Sequence, residues 1–193
     1  MKKYLVLMAV LCFSFEGFAQ QIEAYGNVGF SKIDDSDFLR GKSIGVSYHF
    51  KKKNLIGFSL NGSYEEKGYN RISSLGNLIT SKFDYLSLKG LVRIGNSNVD
   101  VQVGTYLSIM TKEEYYYNNV PQRIRFPAGN RDMGFNININ QRLFSTGNVE
   151  YYLRGEANYG LFSLFSSDVI AFDENDRNIN LGLGLAVRWN YKN

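Results

Sequence analysis

An all-β fold is to be expected from this chain: an eight-stranded antiparallel up-and-down transmembrane β-barrel behind a cleaved signal peptide. It rests on three grounds. An apolar run stands at the N-terminus, eight later segments alternate apolar and polar residues, and the connections between them are alternately short and long. The length of 193 residues fits one domain. Apolar residues make up 44% and charged residues 21%, a balance that excludes a disordered chain.

The N-terminal segment reads as a secretory signal over residues 1–19, with the barrel domain over 20–193. Lys2 and Lys3 precede an apolar run from Tyr4 to Phe15, and Gly17-Phe18-Ala19 offers small residues at a cleavage point. The run is shorter than the roughly 20 residues that a helix needs to span a membrane. Cys12 lies inside it, so the mature chain carries no cysteine. Leu11 before it and Phe13-Ser14-Phe15 after it do not suit a lipidation site.

The eight alternating segments follow in order. Ile22–Lys32 sets Val28 and Phe30 against Asn27 and Ser31. Lys42–Phe50 sets Ile44, Val46 and Tyr48 against Ser43, Gly45, Ser47 and His49. Ile56–Lys67 and Phe83–Ile94 repeat the pattern, with Phe58 and Leu60 against Ser59 and Asn61, then Leu86 and Leu88 against Ser87 and Lys89. Val99–Thr111 places Val101 and Val103 opposite Asp100 and Gln102. Arg131–Leu143 places Phe135, Ile137 and Ile139 opposite Asn136, Asn138 and Asn140. Val149–Phe162 and Arg177–Tyr191 complete the set, the last with Leu181, Leu183 and Leu185 opposite Asn180, Gly182 and Gly184. Successive strand side chains point to opposite faces, so each segment is a strand with one apolar side. A tilted membrane-crossing strand needs about 9–11 residues, which these segments supply.

Short turns are expected at Lys51–Asn54, Gly95–Asn98 and Phe144–Asn148, and longer loops at 34–41, 68–82, 112–130 and 163–176. That asymmetry is typical of outer-membrane barrels. Both prolines, Pro121 and Pro127, fall in the longest loop, away from the strand ladders.

A soluble ligand-binding barrel would turn its apolar face inward; a membrane barrel turns it outward. Lys32, Lys42, Glu66 and Asp84 interrupt the apolar face only near the loop ends. A Lys or Arg at the bilayer midplane would cost about 2–4 kcal/mol, so a clear middle fits lipid. The other face is rich in Gly, Ser and Asn, which suit a narrow interior filled by side chains. Trp189, Tyr191 and Tyr151 near the turns, and Tyr64 and Tyr159 nearer the loops, are candidate aromatic girdles.

Short signatures along the chain then add a resemblance. Gly29-Phe30-Ser31, Tyr64-Glu65-Glu66-Lys67-Gly68-Tyr69, Tyr85-Leu86-Ser87-Leu88-Lys89, Gly104-Thr105-Tyr106, Asp132-Met133-Gly134-Phe135 and Gly182-Leu183-Gly184 stand in an order that resembles the PorT-like outer-membrane β-barrels of Bacteroidetes-type bacteria. Lys89 stands where that family often has proline, and the chain ends two residues beyond Tyr191 rather than on the aromatic. The resemblance implies an outer-membrane barrel of small OmpA/OmpX size in a Gram-negative bacterium, and no single activity. One branch serves protein secretion.

Candidate chemistry is sparse. One histidine and one cysteine cannot build a zinc site of the usual kind. No cofactor motif is present: Gly182-Leu183-Gly184 precedes no helix, and inner-face glycines explain it. A net charge of +4, spread along the chain, excludes nucleic acid as a partner. His49 lies beside a short turn, far from where an enzyme of outer-leaflet lipid would need it.

Inward charges are more informative. Pairing Ile94 with Val99 would set Arg93 opposite Asp100, and pairing Leu143 with Val149 would set Arg142 opposite Glu150. With Arg188 these residues predict a charge ring at the turn end of the lumen, read either as a gate or ion filter or as a packed polar plug. Eight strands leave room for side chains only, which favours the plug. In the longest loop, Tyr115, Tyr116, Tyr117, Arg123, Arg125 and Phe126 combine aromatic and Arg residues as binding surfaces do; they equally suit an interfacial belt with a solvated loop. The expected role is a non-enzymatic structural or binding scaffold. It would contact outer-membrane lipid and a protein or polysaccharide partner at the loops. The alternatives are a subunit of a secretion machine, then a lipid-A-modifying barrel enzyme, then a soluble ligand-binding barrel.

Overall fold

The structure, a computed structural model, describes residues 19–33, 36–50, 55–73, 75–122, 131–162 and 177–191. Among these described residues nine strands follow in chain order: β1 Ala19–Ile33, β2 Asp37–Phe50, β3 Ile56–Ile72, β4 Leu78–Gly95, β5 Val99–Tyr117, β6 Val120–Gln122, β7 Arg131–Thr146, β8 Val149–Phe162 and β9 Asn178–Asn190. All pairings are antiparallel. Eight strands close a barrel in the order β1-β2-β3-β4-β5-β7-β8-β9, and β9 returns to β1. The three-residue β6 is a flap folded back on the tip of β5.

The barrel is apolar outside and polar inside, because each strand alternates and closure puts one face of every strand in the lumen. Phe58, Leu88, Phe135, Ile137, Ile139, Leu183 and Leu185 are all exposed. Asn61, Gln102, Asn136, Asn138 and Asn140 are fully buried. An exterior belt of this size is far beyond what a soluble monomer leaves open to water. Among the described residues no helix is long and apolar enough to cross a membrane.

On β2 to β5 the boundaries nearest the turns match expectation within one residue, while the ends nearest the loops run on by five or six residues. The loop expected over 68–82 is in fact strand up to a connection at Ser73–Asn77, where Ile72 pairs with Leu78 and Gly76 adopts φ +77°. Tyr115, Tyr116 and Tyr117 are likewise strand residues of β5 rather than loop. There the chain turns at Asn118 and Asn119, both with positive φ, and Pro121 sits in β6 opposite Tyr116. Beyond the belt the outer face turns polar while the inner face carries the buried Tyr69, so pairing persists where the apolar-out alternation no longer reports it. Lys51–Asn54, residues 163–176, and Arg123, Arg125, Phe126 and Pro127 lie outside the described residues, as do residues 1–18 of the expected signal.

Two expected registers also move. Ile94 pairs with Val101 and Gly95 with Asp100, so Arg93 lies opposite Gln102 rather than Asp100. Arg142 lies opposite Tyr152, and Glu150 opposite Ser145, with a bulge at Leu143. The cause is turn length. Gly95 continues β4 at φ +140°, and Gly147 at φ +58° with Asn148 makes a two-residue hairpin where five residues were expected. The first shift is by two positions, which preserves the facing of Arg93 and Asp100; in the second, the bulge moves the partner of Glu150 by three.

Candidate functional site: the closed lumen and its mouths

Among the described residues ten charged side chains are buried inside the barrel, five cations (Lys67, Lys89, Arg93, Arg154, Arg188) and five anions (Glu23, Glu65, Asp100, Asp132, Glu156). They form two layers. In the layer nearer the turns, Glu23 of β1 accepts from Arg188 Nη2 at 2.6 Å and Nε at 2.9 Å, and from Arg154 Nη1 at 3.0 Å. His49 Nε2 lies 3.3 Å from the same carboxylate. Arg188 also donates to Asp100 at 3.1 Å, and Arg93 reaches that carboxylate at 3.0 Å despite not being its direct register partner. Gln102 and Asn140 complete the shell of Asp100, at 3.1 Å and 2.9 Å.

The second layer lies nearer the loops. Lys89 Nζ bridges Glu65, at 2.6 Å, and Glu156. Lys67 bridges Glu65 at 3.2 Å and Asp132 at 3.1 Å. Tyr106 donates to Asp132 at 3.0 Å. Arg154, 3.6 Å from Glu156, links the two layers.

Two aromatic groups bracket these charges. Tyr25 lies under the Arg154 guanidinium at 3.9 Å, and Tyr152 under that of Arg188 at 4.1 Å. At the loop end, Ile33, Tyr69, Phe83, Tyr85 and Met110 form a buried apolar cap inside the barrel. Among the described residues the interior therefore holds two charge networks beneath an apolar, aromatic-rich cluster, where a purely polar filling is expected from the sequence.

The residues expected to form one ring separate into two groups. Arg93, Asp100 and Arg188 belong to the inner network. Arg142 and Glu150 form their own pair at the turn-end mouth, 3.5 Å apart, with side chains 29% and 14% exposed. Arg142 donates there to Asn98 Oδ1 at 2.5 Å. Sequence reasoning missed Glu23, Glu65, Lys67, Lys89, Asp132, Arg154 and Glu156 as network members. Their inward parity was legible; their partners, across the barrel and up to 165 residues away for Glu23 and Arg188, were not.

Tyr115 and Tyr116 are half-buried along β5, and Tyr117 is exposed near its tip. Asn118 ties that tip to the β3–β4 connection: its N–H donates to Leu78 O at 2.8 Å and its Oδ1 accepts from Leu78 N at 2.9 Å. Trp189, Tyr191 and Tyr159 are exposed at the barrel ends, and Tyr151 stacks on Phe144 at 4.4 Å. Among the described residues no cluster of His, Cys, Asp and Glu is arranged to hold a metal.

No family model matches the chain, and no curated protein matches it. Solved structures do. The outer membrane protein OprG from Pseudomonas aeruginosa superposes with a TM-score of 0.53 at 9% identity, over 90% of this chain and 98% of that one. Neisserial surface protein A aligns with a TM-score of 0.49 at 14% identity, over 89% and 96%. Ail of Yersinia pestis, solved in complex with the heparin analogue sucrose octasulfate, aligns at 0.43 and 14% identity, over 88% and 96%. The chain thus has the fold of outer-membrane β-barrels.

Proposed function

We propose that this chain is a non-enzymatic scaffold in the outer membrane of a Gram-negative bacterium, of PorT-like type. Its lumen is shut and its role is carried by what it displays at the loop end. Residues 1–19 serve as the export signal and are removed. The turns and both termini then face the periplasm, and the connections at 73–77 and 118–119 face outward.

One observation carries the shut lumen. Glu23, His49, Asn61, Lys89, Gln102, Asn138, Arg154 and Arg188 all have zero solvent exposure. Side chains along a water-filled channel would be wetted, and eight strands leave space only for the side chains themselves. The balance of five buried cations and five anions supports the same reading, since a selective pore keeps unpaired charge of one sign along its path. His49 faces this dry interior against Glu23, remote from any lipid ester.

Purified chain in a planar bilayer tests the reading. It is expected to hold the baseline current, and a steady open conductance would overturn the plug. Mass measurement of the protein from an isolated outer-membrane fraction tests the signal, with cleavage after Ala19 expected. The partner-binding surface is assigned to the projecting tips, where Leu75, Tyr117 and Val120 are exposed. Replacing those three by serine is expected to remove co-purifying proteins or polysaccharide while the barrel stays folded; unchanged capture would sink that assignment.

A further inference from the structure

On β2 to β5 the outward apolar face gives way to charge within one row of residues. Ile44, Tyr64, Leu86 and Ile109 are successive register partners and form the last apolar row. The next row toward the loops is Lys42, Glu66, Asp84 and Lys112, again direct partners. Above it Lys82 lies between Gly68 and Glu114, and Arg40 stands opposite the outward Phe30. Arg40, Tyr64, Lys82 and Asp84 line a groove of about 270 Å³ at this boundary.

The carboxylates there are unevenly matched. Glu66 is held by Lys42 at 2.9 Å. Glu114 is held by Lys112 and by the Tyr116 hydroxyl, the latter at 2.9 Å. Asp84 is the remaining carboxylate, against two cations, Arg40 and Lys82. Among the described residues neither cation has a carboxylate within ion-pair distance; Lys82 only overlies the Tyr116 ring at 5.2 Å. Two exposed cations without a carboxylate partner, in a groove where Glu66 and Glu114 are already matched by Lys42 and Lys112 and directly above an apolar row, match an amphiphile with an anionic head.

We propose that this groove binds a phosphate group, that of an anionic lipid headgroup in the leaflet at the loop end. Arg40 and Lys82 supply charge-assisted hydrogen bonds to the phosphate oxygens. Tyr64 and Leu86, one row below, lie alongside the acyl chains. The inference rests on the membrane reading above, which sets this row at headgroup depth.

The chain is folded into phosphatidylcholine nanodiscs with and without lipid A, and native mass spectrometry counts retained lipid A. A gel-mobility assay of the compact barrel reports insertion separately. Retention is expected to fall about five-fold for each cation removed in Arg40→Gln and Lys82→Gln, and to persist in the swap Arg40→Lys with Lys82→Arg. Arg71→Gln, nearer the strand tip, is the control expected to retain lipid A. Unchanged retention in the double Gln variant, with the compact barrel intact, overturns the site. Equal binding of inorganic phosphate in phosphatidylcholine discs, lost in the same variants, overturns the lipid assignment. Failure to insert at all overturns the membrane reading and this proposal with it.

Discussion

Glu23 and Arg188 face each other across the seam where the first strand meets the last, and Arg188 grips the carboxylate through two nitrogens at 2.6 and 2.9 Å. Antiparallel closure of an eight-stranded barrel depends on this junction, because β1 and β9 are the most distant strands in sequence. The pair sits inside, so its charges are shielded from both lipid and water. Glu23 also neutralises Arg154, so this one anion serves two guanidinium groups, as Asp100 does for Arg188 and Arg93.

Removing that anion should therefore be severe. Glu23→Ala leaves Arg154 without its nearer carboxylate and Arg188 with Asp100 as its remaining one. Breaking a buried pair by deleting one member costs about 3–5 kcal/mol. Urea titration of the refolded barrel in lipid is expected to show a loss of that order. A loss below about 1 kcal/mol, the range of an exposed pair, would contradict the buried seam.

Gly45 makes room for Tyr25. A Cβ built at Gly45 would lie 2.6 Å from the Tyr25 ring and 2.6 Å from the Gly62 carbonyl oxygen. Gly45→Val should overpack this layer, with a cost of about 1–3 kcal/mol on the same titration. Trimming the ring in a Gly45→Val, Tyr25→Ala double variant removes only one of the two clashes, so incomplete recovery is expected. Full recovery would place the strain on the ring alone.

Most of the barrel was legible because two faces of each strand meet opposite environments, lipid and a side-chain-filled lumen, and period-two alternation records that contrast. β8 shows this most directly, with both boundaries as expected at Val149 and Phe162. Legibility ended where the contrast ends. From Gly68 to Ile72 and from Lys112 to Tyr117 the chain stays in strand, but charged residues enter the outer face and Tyr69 joins an apolar cluster on the inner one, so the apolar-out, polar-in alternation lapses. The candidate site was half legible for a related reason. Facing follows from parity, so Arg93, Asp100 and Arg188 could be placed inside. Contacts such as Lys89 with Glu65 and Glu156 depend on barrel closure and stagger, which a local pattern does not encode.

The inside-out arrangement predicts an inverted response to charge. Leu183 is 58% exposed in the middle of β9, between Val28 of β1 and Gly155 of β8. On a soluble barrel Leu183→Arg would be nearly neutral. Facing the bilayer midplane it should cost about 2–4 kcal/mol, while the same change at exposed Arg-neighbouring rim positions such as Ile72 should cost about 0–1 kcal/mol. Equal, small effects at both positions in folding titrations with lipid vesicles would argue for a water-facing exterior.

The projecting β5–β6 tip depends on its turn. Asn118 and Asn119 hold φ of 47° and 64°, the left-handed region that asparagine tolerates and β-branched residues resist. Asn118 also accepts from Leu78 N–H and donates to Asn77 Oδ1, which couples the two outer connections. Asn118→Val removes both side-chain bonds and adds about 1–2 kcal/mol of backbone cost. Because β6 pairs only with Tyr115, Tyr116 and Tyr117, the loss should stay local. Amide hydrogen exchange is expected to quicken at Tyr117 and Val120 and to remain slow at Gln102 and Asn138 deep in the barrel. Global acceleration would mean that the outer tip is an integral part of barrel stability; unchanged exchange at Tyr117 would mean that the turn tolerates valine and is not what holds the flap.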